Sequence, residues 1–229
     1  MIYHKMKHTK SDCHSESSEW QIYFSEKIPV RLPFGKTIYQ LKNAQSVSTD
    51  AAFLVKNVLG ENSDSSIKIR ALELGSGNGI ISIMLSFYRP FWQISGIEIQ
   101  PELAELSDEN AKLSGVKVNF AEGDFRKFSF AEKFDLIVSN PPYFPKNKGL
   151  ISPHKIRAIS RHEIFCTMPE LFSVIADNLQ AKGLAYVLYP LSRMAEIEKY
   201  TKKVDLKIVE NFILKSGRKK DKILVKLKF

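Results

Sequence analysis

Cysteine is scarce in this sequence: Cys13 and Cys166 are the only two among 229 residues. So distant a pair makes neither a disulfide framework nor a zinc-type spacing. No apolar run approaches the ~20 residues of a membrane-spanning helix. Residues 1–19 are polar and hold no apolar stretch of the kind a signal peptide needs. His4, His8, Cys13 and His14 in that stretch read as a loose tail rather than a metal site. Internal repeats and low-complexity linkers are also missing. These absences exclude secreted disulfide scaffolds, helical membrane proteins and repeat arrays. They leave the expectation of a monomeric cytoplasmic protein that binds no metal and no membrane.

Acidic charge is thin in one part of the chain only. The formal net charge of +9 is concentrated in residues 140–229, with 18 basic and 8 acidic side chains. Residues 67–139 hold 8 basic and 10 acidic ones, and residues 1–66 hold 8 and 7. A basic C-terminal part suits a polyanion partner, and a lysine-rich solvated surface is the plainer alternative.

The chain is long enough for one domain with a full core. From residue 67 it alternates. Apolar, β-rich segments at 67–74, 93–99, 116–121, 134–139 and 184–189 predict strands. Segments 80–87, 101–114, 169–179 and 192–203 predict helices. Pro101 opens the second of these and Gly115 ends it, with Leu103, Ala104, Leu106, Ala111 and Leu113 on its apolar face. Residues 206–214 and 222–229 predict two closing strands. The pattern predicts an α/β fold: a doubly wound, mostly parallel seven-stranded sheet, Rossmann-like, with an antiparallel C-terminal edge. Upstream, 22–40 predicts one or two short strands, and Ser48-Thr49-Asp50 caps a helix over 51–59. The expected division is an N-terminal tail and short extension, 1–47, before a catalytic domain, 48–229.

The first strand of the alternating part runs into Glu73-Leu74-Gly75-Ser76-Gly77-Asn78-Gly79. In a doubly wound sheet ligands bind at the carboxyl ends of the strands. Glycines there let the backbone turn tightly and approach a ligand. The third glycine of a dinucleotide fingerprint would fall on Ile80, so that fingerprint fails. S-adenosylmethionine has no phosphate, and a closer glycine loop preceded by an acid suits it. Glu73 is then expected to orient its cationic methionine end. Glu98, ending the second strand, is expected to accept the two ribose hydroxyls. Asp124, in Gly123-Asp124-Phe125 after the third strand, is expected to accept from the adenine amino group, with Phe125 against the ring.

The fourth strand ends in Asn140-Pro141-Pro142-Tyr143. As a structural feature this is a rigid proline turn. It also suits a particular chemistry. An exocyclic amine on a base is a poor nucleophile, because its lone pair is delocalised into the ring. If the Asn140 side-chain oxygen and the Pro141 backbone oxygen accept its hydrogens, the nitrogen can pyramidalise toward a methyl donor. The prolines hold the acceptors still, so little reorganisation is needed. Tyr143 offers a face on which an extruded base can stack.

With these residues the chain resembles the amino-methyltransferases that carry an Asn-Pro-Pro-Tyr motif. Among them it is similar to the bacterial family that methylates adenine-N6 beside the anticodon of a valine transfer RNA. The resemblance runs from Ser48 to Phe229. It includes Thr49-Asp50-Ala51, Glu73 to Leu85, Gly123-Asp124, Phe134 to Phe144 and Arg157 to Glu163. It implies S-adenosylmethionine as cofactor, held by Thr49, Asp50, Glu73, Gly75, Gly77, Asn78, Gly79, Glu98, Ile99, Asp124, Phe125 and Asn140. It implies a transfer RNA as partner.

The segment 144–168 is long for a strand–helix connection, where ~2–6 residues are usual. Its Lys146, Lys148, Arg157, Arg161 and His162, beside Tyr143, suit phosphate contacts around a flipped base. Arg218, Lys219 and Lys220 are a second basic group. Three other functions use similar parts. A release-factor glutamine has an amide nitrogen that fits the same tetrapeptide, but such enzymes usually carry a helical N-terminal domain. A guanine amino group in ribosomal RNA is another acceptor. A non-enzymatic RNA-binding module would have no need of the tetrapeptide.

Overall fold

The computed structural model describes residues 27–42, 49–61, 67–141, 166–215 and 220–229. Two short strands, β1 (Lys27–Arg31) and β2 (Thr37–Leu41), pair as an antiparallel hairpin. Helix α1 (Thr49–Glu61) follows, and the alternating part then runs β3 (Arg70–Leu74), α2 (Ile80–Tyr88), β4 (Gln93–Glu98), α3 (Pro101–Ser114), β5 (Asn119–Glu122) and β6 (Phe134–Ser139). The chain continues with α4 (Met168–Asn178), β7 (Leu179–Pro190), α5 (Met194–Lys202), β8 (Lys207–Leu214) and β9 (Lys222–Lys228).

Seven strands form one sheet in the order β5-β4-β3-β6-β7-β9-β8. The pairs from β5 to β7 are parallel, and β9 is antiparallel to both β7 and β8. From β3 the chain winds outward through β4 to β5, then returns to place β6 on the other flank of β3. The crevice between the carboxyl ends of β3 and β6 is therefore the switch point, where this architecture binds ligands.

Alternation along the strands divides the core between two faces. Leu72, Leu74, Ile137, Ala185, Val187 and Val225 pack with Leu171, Phe172 and Ile175 of α4 and Ile197 of α5. Ala71, Leu136, Val138, Tyr186, Leu188 and Leu224 pack with Leu54, Val55 and Val58 of α1 and with Ile81, Met84 and Leu85 of α2. Because both faces are covered, the central strands read as continuous apolar runs.

The hairpin β1–β2 lies on α2 and α3. Leu32 and Ile38 meet Ile83 and Ala111, and Leu41 meets Leu103 and Leu106. Lys27 forms an ion pair with Glu109 of α3. Phe34 stacks on Phe87 at 3.8 Å between ring centroids.

Three local expectations change. Leu113 is 49% exposed. The buried stripe of α3 instead includes Ser107, Asn110 and Ser114. The third strand of the alternating part starts at Asn119 rather than 116, because Val116 N–H returns to Ala111 O around left-handed Gly115 and closes the helix. Strand β7 begins at Leu179 rather than 184, and Leu179 pairs with Phe134 across a register shift.

Candidate active site

The turn after β3 takes its shape from three left-handed glycines: Gly75 (φ +73°), Gly77 (φ +56°) and Gly79 (φ +82°). Only glycine adopts such angles without strain. Their surroundings divide them by task. A Cβ on Gly79 would come within 2.7 Å of the Phe120 ring, so this glycine serves packing at the start of α2. A Cβ on Gly75 or Gly77 would meet nothing within 4 Å. Those two turn a bare backbone toward open space, where a ligand can lie close.

The loop is fastened to β4. Gly75 N–H and Ser76 N–H donate to Ile97 O at 2.9 and 3.1 Å. Glu98 accepts from Gly77 N–H at 2.8 Å on one oxygen and from Gln100 N–H at 3.0 Å on the other. The Ile99 backbone and the Gln100 side chain also hydrogen-bond this carboxylate. Burial raises the Glu98 pKa above the ordinary carboxylate range.

Glu73 is buried at the end of β3 and turns under the loop. One oxygen accepts from Ser82 N–H at 3.0 Å and Ser82 Oγ–H at 2.6 Å. Burial pushes its pKa up to about 8, against the lowering effect of those two bonds. Its shown partner is the first turn of α2.

Asn110, wholly buried in α3, is a residue that sequence reasoning missed. Its Oδ1 accepts from Tyr39 N–H at 2.8 Å, and its Nδ2 donates to Tyr39 O and to Asn78 O, both at 2.9 Å. One amide thus joins the hairpin to the glycine loop. Asn78 Nδ2 also points to the hairpin, donating to Tyr39 O at 3.4 Å. A polar side chain on the apolar stripe of α3 was the available signal.

At the end of β5 the Asp124 carboxylate is gripped by Arg126. The backbone N–H and Nε of Arg126 donate to Oδ1 at 3.1 and 2.9 Å, and Nη2 donates to Oδ2 at 2.6 Å. The guanidinium hydrogen bonds hold the Asp124 carboxyl below its usual range. Phe125 packs against the α4–α5 face of the core. Ile99 is half-buried after β4, and Thr49 is exposed at the start of α1. Asp50 is buried and ion-paired with Lys222 of β9.

The β3–β6 register pairs Glu73 with Val138, and Ser139 Oγ–H donates to Leu74 O at 2.8 Å. Continued two residues, that register would set Asn140 against Gly75. Asn140 Oδ1 is buried and has no hydrogen-bond partner among the described residues. Such an acceptor costs about 1–3 kcal/mol unless something donates to it. Pro141 is buried next to it. Pro142, Tyr143, Lys146, Lys148, Arg157, Arg161, His162, Arg218 and Lys219 lie outside the described residues, while Lys220 is exposed.

The arrangement places bare glycine backbone and the Glu98 carboxylate on one side of the switch point, and on the other an amide oxygen with no donor among the described residues. Comparison with known proteins shows the family. Residues 44–183, more than half of the chain, match the family model described as the methyltransferase small domain. The chain is 32% identical over 164 residues to a tRNA1(Val) (adenine(37)-N6)-methyltransferase of Porphyromonas gingivalis, covering 69% of this chain and 63% of that protein. It is 32% identical over 165 residues to the protein of the same name from a Flavobacteriaceae bacterium, covering 71% and 67%. The chain thus spans under two thirds of the length of the first of these relatives. Among solved structures, the M. jannaschii tRNA m1G37 methyltransferase shares the fold with a TM-score of 0.63 at 17% identity, over 89% of this chain and 56% of that one. The chain belongs to the methyltransferase small domain family, as a relative of the tRNA1(Val) (adenine(37)-N6)-methyltransferases.

Proposed function

We propose that this protein transfers a methyl group from S-adenosylmethionine to the exocyclic amino group of a base in RNA, namely adenine-N6 in the anticodon region of a valine transfer RNA. The observation that carries the reading is the buried Asn140 oxygen with no donor among the described residues, at the end of the strand next to the one that leads into a glycine loop whose backbone faces open space. The residues fit the cofactor. Gly75 and Gly77 leave room for it, Glu98 stands at the end of β4 as the acid for its ribose hydroxyls, and Asp124 keeps one lone pair for its adenine amino group. When bound, S-adenosylmethionine supplies a methyl group already activated by a sulfonium.

The chain's own residues then act on the amine. Asn140 Oδ1 accepts one of its hydrogens and Pro141 O the other, which draws the nitrogen lone pair out of the ring. Pro141 and Pro142 keep these acceptors fixed, so the acceptance costs little reorganisation. Tyr143 stacks the extruded base. Lys146, Lys148, Arg157, Arg161 and His162 contact the RNA backbone. Thr49, Asp50, Glu73, Asn78, Gly79, Ile99 and Phe125 shape the cofactor cleft, several through the loops and helices they hold. We further infer that the protein works as a cytoplasmic monomer, with residues 48–229 as the catalytic domain and the hairpin as an extension clasped to it. No described helix is long and apolar enough to cross a membrane.

The test is one assay in two arms. Protein and radiolabelled cofactor are incubated with total RNA and, in parallel, with release factor. Digestion of the RNA should yield labelled N6-methyladenosine in a valine transfer RNA. Label on a release-factor glutamine, or on guanosine of ribosomal RNA, would overturn the assignment in favour of that acceptor.

A further inference from the structure

Arg126 does more than neutralise Asp124. Three of its donors occupy three of the ~four acceptor positions of that carboxylate, two on Oδ1 and one on Oδ2. One lone pair, on Oδ2, is left over. The fourth donor in use, Nη1, reaches across to Glu170 Oε1 in the first turn of α4 at 2.8 Å. Glu170 is itself fixed. Its Oε2 accepts from Thr167 N–H at 2.8 Å and from Thr167 Oγ–H at 2.7 Å, the reach-back of a capping box. The chain Asp124–Arg126–Glu170–Thr167 therefore fastens the turn after β5 to the start of α4, two segments 44 residues apart along the chain. A guanidinium is suited to this, since its donors lie in a rigid plane and hold a carboxylate at two points.

Resting on the reading above, in which Asp124 receives the adenine amino group of the cofactor, we propose that Arg126 is a positioning residue for cofactor recognition. It turns the Asp124 carboxylate so that a single acceptor position remains for the adenine 6-amino group, and it braces that orientation against the α4 cap. Without the guanidinium only the backbone N–H of residue 126 still holds Oδ1, and the carboxylate turns about that one bond, which leaves Oδ2 in no fixed direction toward the amino group. The role is selective. It bears on the 6-amino group and not on the ribose, the sulfur or the methionine end.

That selectivity supplies the test. Calorimetry compares S-adenosylhomocysteine with its 6-deamino analogue, in which hydrogen replaces the amino group, on the wild type, Arg126→Ala and Arg126→Lys. The wild type should prefer the amino compound by about tenfold or more, the range of a hydrogen bond to a charged group. Arg126→Ala should bring the ratio of the two affinities to within roughly twofold, while affinity for the analogue itself changes little. Arg126→Lys keeps the charge but not the planar fork, so its ratio should fall in between. Equal weakening of both ligands, with the ratio preserved, would show a merely structural role and overturn the proposal. A ratio unchanged in both variants overturns it as well. Two further results reach below it to the reading it rests on. A wild-type ratio of one removes Asp124 as the adenine partner, and wild-type binding of neither ligand removes the cofactor assignment.

Discussion

The carboxylates on one flank of the switch point and the Asn140 amide on the other differ in how they are satisfied. On the first flank, Glu73, Glu98 and Asp124 each accept from nearby protein donors: Ser82, the Gly77 and Gln100 backbone, and Arg126. On the second, Asn140 Oδ1 is buried and has no donor among the described residues. A satisfied carboxylate is set in place before ligand arrives. An unsatisfied amide oxygen holds a desolvation cost that a correctly placed N–H relieves. On the proposed reading, binding and chemistry fall on opposite flanks of the switch point.

The sharpest way to break this contrast is Asn140→Ala. Turnover should fall by roughly 10²–10³, as with loss of a preorganised hydrogen-bonding group. Cofactor affinity by calorimetry should change far less, and the thermal midpoint should stay or rise, since Oδ1 gives up no hydrogen bond to the described protein. Near-normal turnover would mean the two flanks do not divide the work.

Glu73 tests the satisfied flank through pH. Its native pKa of about 8 lies above the ordinary carboxylate value of 4.5. Between those values the folded protein keeps a proton that the unfolded chain has released, so this group's contribution is fully present below pH 4.5 and is lost as pH rises toward 8. The slope it adds is at most about 1.4 kcal/mol per pH unit. Urea denaturation across that window should show stability falling in the wild type and a flatter profile in Glu73→Gln.

A finer contrast lies within the glycine loop. Gly79→Ala combines a left-handed φ with a 2.7 Å approach to Phe120, so it should cost about 2 kcal/mol or more of stability. Gly77→Ala meets only the φ strain, about 1–2 kcal/mol, and should show instead as weakened cofactor binding. Equal stability losses with unchanged binding would remove the division between packing and ligand glycines. The smallest expected effect concerns the proposed RNA contacts. Alanine at Lys146 and Arg157 should lower the slope of log affinity against log salt by about 1 for each phosphate no longer neutralised.

The sequence exposes backbone requirements and strand ends best. Three glycines after an apolar strand, acids ending successive strands and the Asn-Pro-Pro-Tyr tetrapeptide are local patterns, and the switch point follows from strand–helix alternation. The partners of those residues were not legible, because they are set by tertiary approach. Nothing local pairs Asn110 with Tyr39 and Asn78, Arg126 with Glu170, or Asp50 with Lys222. Gly96 did carry a readable hint. A glycine inside a strand marks a close approach, and here the Phe120 ring lies 2.6 Å from where its Cβ would be. Helix α3 misled for the opposite reason: serines and an asparagine occupy its buried stripe, so hydrophobic periodicity favoured Leu113.

The Asn110 amide has a dynamic consequence. Because it serves backbone groups of both the hairpin and the glycine loop, neither segment can swing away without stranding polar atoms that the other also needs. Hairpin and loop should open as one cooperative unit with a shared protection factor in hydrogen exchange, and whatever stiffens one will slow the breathing of the other.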